Sequence, residues 1–285
     1  WDVILLYQYF PQGEKGAFLF LRWVDQFLPL AFTGLFINIG LFAHLVIMWV
    51  GPLQVQVQGL FVGAPYHDVP ALVAFLTILV TTVNFVVSVE VNFYPKYKNY
   101  YSLFNDKGAV GDITQAGEEM LKVLNVELKY TALKQLLATA LAISLGGLLL
   151  EYVPLGFNDL MEGYFRTLCV GYGIYAVANT ILLLLLYFTD YKGALAASGC
   201  FAGGTVLFTV ISLFFPRVYY GFGFLTGSAV FFLIAAFRLD YYTKRLPYYI
   251  LSVQPVVARE KRGKFSRLGF FLSKKLERSQ NSEKI

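Results

Sequence analysis

Long apolar blocks dominate the chain, and each holds about 20 residues. Six of them lie near residues 30–50, 69–90, 132–152, 165–188, 193–215 and 217–238. At 1.5 Å per residue, a helix of this length crosses the roughly 30 Å of hydrocarbon in a bilayer. The blocks do not alternate between apolar and polar positions, as the strands of a membrane barrel do. The pattern therefore predicts an all-α, polytopic membrane protein with about six transmembrane helices.

Composition and motifs argue against a water-soluble enzyme. Of the 285 residues, 57% are hydrophobic and 14% charged, whereas an ordinary soluble domain has roughly a quarter charged residues. The loops contain no CxxC, HExxH, phosphate-loop or GxSxG motif, so no catalytic residue, metal site or cofactor is expected. Cys169 and Cys200 lie in predicted spans and are interpreted as structural. The isolated His67-Asp68 pair is expected in a solvated loop turn.

The placement of Lys and Arg predicts the topology. Segments 1–28, 91–134, 189–193 and 238–285 hold 2, 6, 1 and 12 of these residues, which is 21 of 23. Positive loops stay in the cytoplasm, so six crossings with both termini cytoplasmic are expected. The basic tail, including Arg259, Lys261 and Arg262, is expected to contact anionic lipids, and nucleic-acid binding is the weaker reading.

The same pattern divides the chain into five segments. They are a cytoplasmic lead-in or the end of an earlier span (1–28), the first two transmembrane helices (29–90), a cytoplasmic amphipathic helical segment (91–131), four transmembrane helices (132–238) and a basic cytoplasmic tail (239–285). Asp112, with Gln115 three residues later, predicts the start of the amphipathic helix. Its apolar face lies on the membrane or binds a cytoplasmic partner; the candidate partner-binding residues are Ile113, Met120, Leu124 and Leu128.

Polar side chains recur at helical spacing inside several spans. The stripes are Thr77, Thr81, Asn84 and Ser88; Tyr172, Tyr175 and Asn179; and Ser198, Thr205, Thr209 and Ser212. In hydrocarbon such groups need partners in the bundle or in a water-filled cavity. Helix-to-helix hydrogen bonding and a polar lining for a hydrophilic solute both explain them. Two glycine pairs, Gly199 with Gly203 and Gly223 with Gly227, are expected to let helices pack closely.

His44 is an ionisable side chain deep in the first predicted span. Such a residue is a candidate for proton or cation coupling, although a neutral histidine bonded to a neighbouring helix also fits. Glu90, at the inner end of the second span, is a second coupling candidate or a simple interface residue. The candidates for a substrate pathway are Asn38, His44, Asn84, Ser88, Tyr172, Tyr175 and Asn179.

Six segments carry a resemblance to a known family. In chain order they are TGLFINIG (33–40), APYHDVP (64–70), VNFYPKY (91–97), EEML (118–121), LYFTD (186–190) and YYGFGF (219–224). Their joint order and spacing resemble PelG, the inner-membrane component of Pel exopolysaccharide export. None of the segments is a catalytic signature.

This resemblance implies a polysaccharide flippase with about twelve helices in two bundles, of which the six spans would be one bundle and the chain the carboxyl-terminal half. It also implies export of a hexosamine-rich exopolysaccharide from the cytoplasm across the bacterial inner membrane, without covalent chemistry. The implied partners are the polysaccharide chain, a cytoplasmic glycosyltransferase and other Pel inner-membrane components. A membrane scaffold that recruits the glycosyltransferase and a membrane-embedded sugar transferase are the alternatives.

Overall fold

The computed structural model describes residues 18, 20–105, 108–152, 156–253 and 263–282. Its α-helices are α1 Leu21–Val50, α2 Pro65–Phe75, α3 Leu79–Val87, α4 Tyr94–Asn105, α5 Val110–Tyr152, α6 Asp159–Tyr187, α7 Tyr191–Ser212, α8 Phe222–Thr243, α9 Leu246–Val253 and α10 Lys264–Ser282. The other elements are two antiparallel strands, β1 Val55–Gln58 and β2 Phe61–Gly63, the 3₁₀-helices Leu76–Ile78 and Arg217–Tyr219, and the π-helix Ser88–Phe93.

Five helical segments in the described ranges are long and apolar enough to cross a membrane. They are Leu21–Val50, Pro65–Phe104, Asp159–Tyr187, Tyr191–Ser212 and Arg217–Thr243. The prediction of an all-α, polytopic membrane protein is therefore confirmed. The expected span 132–152 is the second half of α5, where side chains beyond Gly146 lie outside the described residues, as do residues 1–17 of the expected lead-in.

The chain divides into two compact units, residues 33–249 and residues 1–32 together with 250–285. Helix α6 is the centre of the larger unit, since 72% of its most apolar window is buried, compared with 22% for α1. Helices α2, α5, α7 and α8 pack around it. Glycines on α6 allow this approach, because a Cβ added at Gly171 would lie 2.9 Å from the ring of Phe224 on α8.

Two glycines of α8 let this helix pack directly on the backbone of α7. A Cβ at Gly223 would lie 2.5 Å from the Cα of Thr209, and one at Gly227 would lie 2.8 Å from the Cα of Thr205. Such small-residue contacts are a common way for membrane helices to associate. On α7 the expectation differs from the structure, because the space beside Gly203 is open and Gly199 meets only the ring of Phe36, at an ordinary 3.7 Å.

A helical rod runs without a break from Pro65 to Asn105 through α2, α3 and α4. At 1.5 Å per residue it is about 60 Å long, roughly twice the hydrocarbon thickness, so it extends well beyond one membrane face. The wider π-turn at Ser88–Phe93 stands just before Pro95. Proline has no N–H to donate to the preceding turn, and π-turns and prolines are common sites of helix distortion.

Helix α5 joins two segments that the sequence pattern separated. It continues from the expected cytoplasmic helix into the expected third span, with 43 residues from Val110 to Tyr152. The helix begins at Val110, so Asp112 is not the N-cap but lies within the first turn. Its carboxylate still favours the helix there, because the N-terminal end of a helix carries partial positive charge.

A short hairpin joins α1 to α2, and the sequence pattern did not predict it. Strands β1 and β2 pair on either side of Gly59 and Leu60. Gly59 has a φ of +59°, a conformation that glycine adopts without steric cost. Leu60 at the tip is fully exposed. Because each strand has four residues or fewer, the alternation was too short to separate from an ordinary loop.

The turn between α6 and α7 is fastened to the end of α8 by a charge pair. The Asp190 carboxylate accepts hydrogen bonds from Arg238 Nε at 2.5 Å and Nη2 at 2.9 Å, and it caps α7 by accepting from the Gly193 N–H. The Tyr242 hydroxyl donates to the Phe188 carbonyl at 3.0 Å. We call this region, with residues 187–193 and 238–246, the Asp190 end of the larger unit.

In the smaller unit, one carboxylate caps a helix that is distant in sequence. Asp25 accepts hydrogen bonds from the backbone N–H groups of Phe265 and Ser266 and from the Ser266 hydroxyl. These are the first N–H groups of α10, which have no partner inside their own helix. Asp25 therefore fixes the start of the helix that carries the described part of the basic tail.

Replacing Gly227 with valine should destabilise the protein by about 1–3 kcal/mol, because the new side chain would overlap the backbone of α7. The same replacement at Gly203, where the space is open, is the matched control. Thermal unfolding of the purified protein in detergent measures both. Equal losses of stability in the two variants would contradict the backbone-to-backbone packing of α7 and α8.

Candidate functional site

Both histidines of the chain lie side by side inside the larger unit. His44 on α1 and His67 in the first turn of α2 are each 0% exposed, and their ring centroids are 5.2 Å apart. Histidine is the side chain whose ordinary charge change falls between pH 5 and 8. Two such rings brought together from residues 23 positions apart form a candidate functional site, which we call the histidine pair.

Helices α6 and α8 wall the histidine pair with aromatic rings. The Tyr172 hydroxyl lies 3.3 Å from His44 Nε2, and Phe224 packs on the His44 ring at 4.5 Å between centroids. The Tyr164 ring lies 5.6 Å from that of His67, and its hydroxyl donates to the Arg217 carbonyl at 2.5 Å. The pair is thus enclosed by four helices near the ends where α2, α6 and α8 begin.

Several polar atoms at this site have no hydrogen-bond partner among the described residues. They include both ring nitrogens of His67 and one carboxylate oxygen of Asp68, Oδ1. An unpaired buried polar group costs about 1–3 kcal/mol, so such groups usually serve a ligand, a water or a reaction. No group of three or more His, Cys, Asp or Glu residues suited to a metal ion occurs in the described ranges. Imidazole rings can take up and release protons near neutral pH.

Asp68 joins α1 to α2 beside the histidine pair. Its Oδ2 accepts hydrogen bonds from Trp49 Nε1 and from the Ala64 N–H, both at 2.9 Å. Together with the histidines, Tyr164 and Arg217, this contact marks what we call the His67 end of the larger unit.

The expectation that His67 lies in a solvated turn is wrong. The helix begins at Pro65, so His67 belongs to its buried first turn. The signal for this start was present in the sequence, because proline is favoured at the first helical position and an acidic residue such as Asp68 is favoured in the first turn.

Tyr172 and Tyr175 are built into an aromatic core and are not open to a solute. They are 2% and 5% exposed. Tyr172 packs on Phe224 at 4.6 Å, while Tyr175 packs on Phe201 at 5.4 Å between centroids. Stacking on a sugar requires a free ring face, so neither ring can do so in this conformation. Asn179, one turn beyond, is half-buried.

The polar stripe of the rod is bonded to α5. The Thr81 hydroxyl donates to Gln135 Oε1 at 2.5 Å, and Gln135 Nε2 donates to the Thr139 hydroxyl at 3.2 Å. The Asn84 amide donates to the Thr131 hydroxyl at 2.8 Å, and Asn84 Oδ1 accepts from Lys134 Nζ at 2.5 Å. Helix-to-helix hydrogen bonding therefore accounts for Thr81 and Asn84, whereas the side chain of Lys134 also stays exposed.

Further contacts continue this seam toward the Asp190 end. Asn92 donates to Glu127 Oε1 at 2.8 Å, and Lys96 donates to Glu119 at 2.8 Å. The Lys96 ammonium holds the pKa of Glu119 below its ordinary value. We call this seam the polar junction; it comprises Thr81, Asn84, Asn92 and Lys96 of the rod with Glu119, Glu127, Thr131, Lys134 and Gln135 of α5.

The remaining candidates are Ser88 and Asn38 for the pathway and Glu90 for coupling. Ser88 is buried and lines a small cavity of about 10 Å³ with Glu127, Thr131 and Thr180, which is the room that one water needs. Glu90 is exposed and accepts a hydrogen bond from the Tyr187 hydroxyl at 3.1 Å. Asn38 is exposed on α1, where its amide donates to the Gly34 carbonyl of its own helix.

The face of α5 that was expected to meet a partner is largely covered within the chain. Met120 is 0% exposed and Leu124 is 3% exposed, while Ile113 and Leu128 are half-buried. Helix α4 turns back along α5 and covers this face: Tyr100 is buried beside Gly117, where a Cβ would lie 3.0 Å from its ring. Because Met120 and Leu124 already pack inside the chain, they do not form a free docking surface.

Replacing Trp49 with phenylalanine should lower stability by about 1 kcal/mol, because Asp68 loses one of its two donors while the aromatic ring is kept. Trp23, which is 60% exposed, offers the matched control, since the same change there should have little effect. The midpoint of thermal unfolding gives the comparison. An unchanged midpoint in the Trp49 variant would mean that the contact with Asp68 does not fasten α1 to α2.

Comparison with known protein families gives a match over most of the chain. A model of the PelG family, described as "Putative exopolysaccharide Exporter (EPS-E)", matches residues 1–251. No curated protein and no solved structure matches the chain.

Proposed function

The chain belongs to the PelG family of exopolysaccharide exporters, and from that membership we propose that it moves a Pel-like, hexosamine-rich polysaccharide from the cytoplasm outward across the bacterial inner membrane. The family is one of exporters and not of enzymes. We propose that transport involves no covalent chemistry: the chain's part is to offer polar groups to sugar hydroxyls in place of water. We further propose that the five apolar helical segments, together with the expected span 132–152 in α5, form one bundle of a twelve-helix flippase.

The observation that carries this proposal is an exposed ammonium held at one edge of the polar junction. Lys134 is bonded to Asn84, and its neighbours Leu133 and Leu137 are 61% and 60% exposed. Asn84 lies 19 residues from Pro65, about 28 Å along the rod, which is close to the far edge of a hydrocarbon layer roughly 30 Å thick. An ammonium at that edge reaches water, where it can donate hydrogen bonds to the hydroxyls of an entering sugar chain.

We propose that the exposed edge of the polar junction lines the inner mouth of the export path. Asn92 and Lys134 lie along this edge and offer donors, and Glu127 beside them offers an acceptor. Asn84 and Ser88 stand behind them and hold the edge in place. His44, Tyr172, Tyr175 and Asn179 lie deeper in the bundle, and the polymer would reach them only after the helices separate. Asn38, exposed on α1, remains a candidate wall residue.

The positions of Lys and Arg support an outward direction of transport. Lys96, Lys192 and Arg238 lie toward the Asp190 end, whereas Arg166 and Arg217 are the basic residues of the loops at the His67 end. Because positive loops remain inside, we place the Asp190 end and both chain termini in the cytoplasm. The polymer then enters beside the polar junction and leaves past the His67 end.

The cytoplasmic surface is where we place the partners. A glycosyltransferase and other Pel inner-membrane components would hand over the growing chain beside the polar junction. In the smaller unit, α10 exposes Phe270 and Phe271, which are 66% and 65% exposed, and carries Lys264 and Arg267. Exposed aromatic and basic side chains on one helix suit contact with anionic lipids.

Replacing Lys134 with methionine should cut polymer secretion about tenfold or more, because an apolar side chain of similar length cannot bind sugar hydroxyls. The matched control is the same replacement at Lys122, an exposed lysine on the same helix outside the polar junction. Secreted and intracellular polymer are measured in cells carrying the full protein, with its membrane level checked by immunoblot.

The distribution of the polymer separates the candidate functions. An exporter that fails leaves polymer inside the cell, so intracellular polymer should rise as secretion falls in the Lys134 variant. If both pools fall together, the chain supports synthesis, as a scaffold or a transferase would. Unchanged secretion would remove Lys134 from the path.

A further inference from the structure

We propose that His44 and His67 form a proton-binding site whose occupation opens the His67 end of the bundle. Two neutral imidazoles fit the observed packing, since their centroids are 5.2 Å apart and both rings are fully buried. The link between this opening and polymer transport rests on the proposed function, and so does the outward placement of the His67 end.

Among the described residues packed on the pair, none directs a negative charge at a protonated ring. Helix α6 presents the hydroxyl-bearing rings of Tyr164 and Tyr172, and α8 presents Phe224. Helix α1 contributes Trp49, whose indole N–H is directed to Asp68. Arg217 meets the site through its backbone carbonyl, which is taken by Tyr164.

The nearest carboxylate is already engaged elsewhere. Asp68 follows His67 in the same helix, where consecutive side chains do not face each other. Its Oδ2 is held by Trp49 and by the Ala64 N–H, and its Oδ1 has no partner among the described residues. In this conformation the carboxylate therefore does not neutralise an imidazolium. A buried charge without a partner strongly destabilises the arrangement that buries it.

Separation of the helices at the His67 end removes the cost of burying an imidazolium without a partner. Water then reaches the ring nitrogens of His67, and the free oxygen of Asp68 becomes available as an acceptor. The unpaired atoms of the closed form, which cost stability there, gain partners in the open form. Proton binding thus favours the open form, because the proton binds more tightly to a histidine in the open form than in the closed form.

The two ends of the larger unit differ in what holds them shut. At the Asp190 end, a carboxylate and a guanidinium form a two-bond ion pair, supported by the hydrogen bond from Tyr242 to Phe188. At the His67 end the fastenings among the described residues are single hydrogen bonds, from Trp49 to Asp68, from Tyr164 to the Arg217 carbonyl, and between Tyr172 and His44. Helix α1, which carries Trp49 and His44, is also less buried than α6. Opening at the His67 end disrupts the weaker set.

The outward placement of this end gives the proton a source. In the topology proposed above, the His67 end faces the side from which the proton gradient drives protons inward. Protonation there would open the exit while the Asp190 end remains closed. The class of ligand is therefore the proton itself, bound once per pair because two adjacent buried cations repel each other.

Histidine NMR tests proton binding directly. With two histidines in the chain, ¹⁵N-histidine labelling of the protein in nanodiscs gives two side-chain spin systems that can be followed from pH 8 to pH 5. We expect two neutral rings at pH 8 and conversion of one to an imidazolium within this range. Two rings that stay neutral at pH 5 would overturn the proposal.

Access to a native cysteine tests the opening. Cys169 lies on α6 between Tyr164 and Tyr172 and is 0% exposed; replacing the exposed Cys200 with serine leaves it as the single thiol. We expect the ratio of the labelling rate at pH 5.5 to that at pH 8, for Cys169 and a membrane-impermeant maleimide, to be at least fivefold higher than in a variant whose histidine pair cannot be protonated. The comparison removes the slower reaction of thiols in acid, which is common to both proteins.

The double variant His44→Gln with His67→Gln is the matched control, since glutamine keeps polar side chains that cannot be protonated in this range. It should show only the slowing in acid that is expected of a thiol. An equal ratio of the two rates in both proteins would overturn the proposal, even if the NMR spectrum shows protonation. Because no polysaccharide is present in either measurement, failure here leaves the Lys134 test of export unaffected, and the two failures are distinguishable.

Discussion

The structure depends on one constraint: polar groups inside hydrocarbon must find their partners within the protein. The rod and α5 meet this constraint along the polar junction, where hydroxyls, amides and one ammonium pair between two helices. The Asp190 end meets it with a carboxylate and a guanidinium. The histidine pair departs from it, because both nitrogens of His67 lack a partner among the described residues, as do the hydroxyls of Thr205, Thr209 and Ser228. Of these groups only the histidines can change charge near neutral pH, and a function involving a second state is therefore expected at the pair.

The local features of the fold could be predicted from the sequence, and their pairing could not. Apolar blocks give the spans because length and hydropathy suffice to identify a membrane helix. Helical periodicity placed Thr81 and Asn84 on one face, yet nothing in that period identified Gln135, 54 residues later, as the partner of Thr81. The burial of Met120 could not be predicted for the same reason. Its face of α5 is covered by α4, and this tertiary contact has no signal in the local sequence pattern.

The candidate site shows the same division between local and tertiary information. Burial cost alone marked His44 as a residue of interest. His67 was interpreted as solvated because it precedes the apolar block, although Pro65 and Asp68 carried the signal for a helix start. The meeting of the two rings depends on how α1 and α2 pack, and that packing is set by the hairpin between them and by Trp49 and Asp68.

The π-turn at Ser88–Phe93 bears on the register of the polar junction. In an uninterrupted α-helix, each residue turns the chain by about 100°, so Asn92 would lie about 80° around the axis from Asn84, and Lys96 about 120°. A π-turn absorbs roughly one extra residue, which brings both to within about 20° of Asn84. All three side chains reach α5 for this reason. The π-turn thus corrects the rotation of the rod about its axis. Helix α5 can therefore contact the same face of the rod before and after the turn.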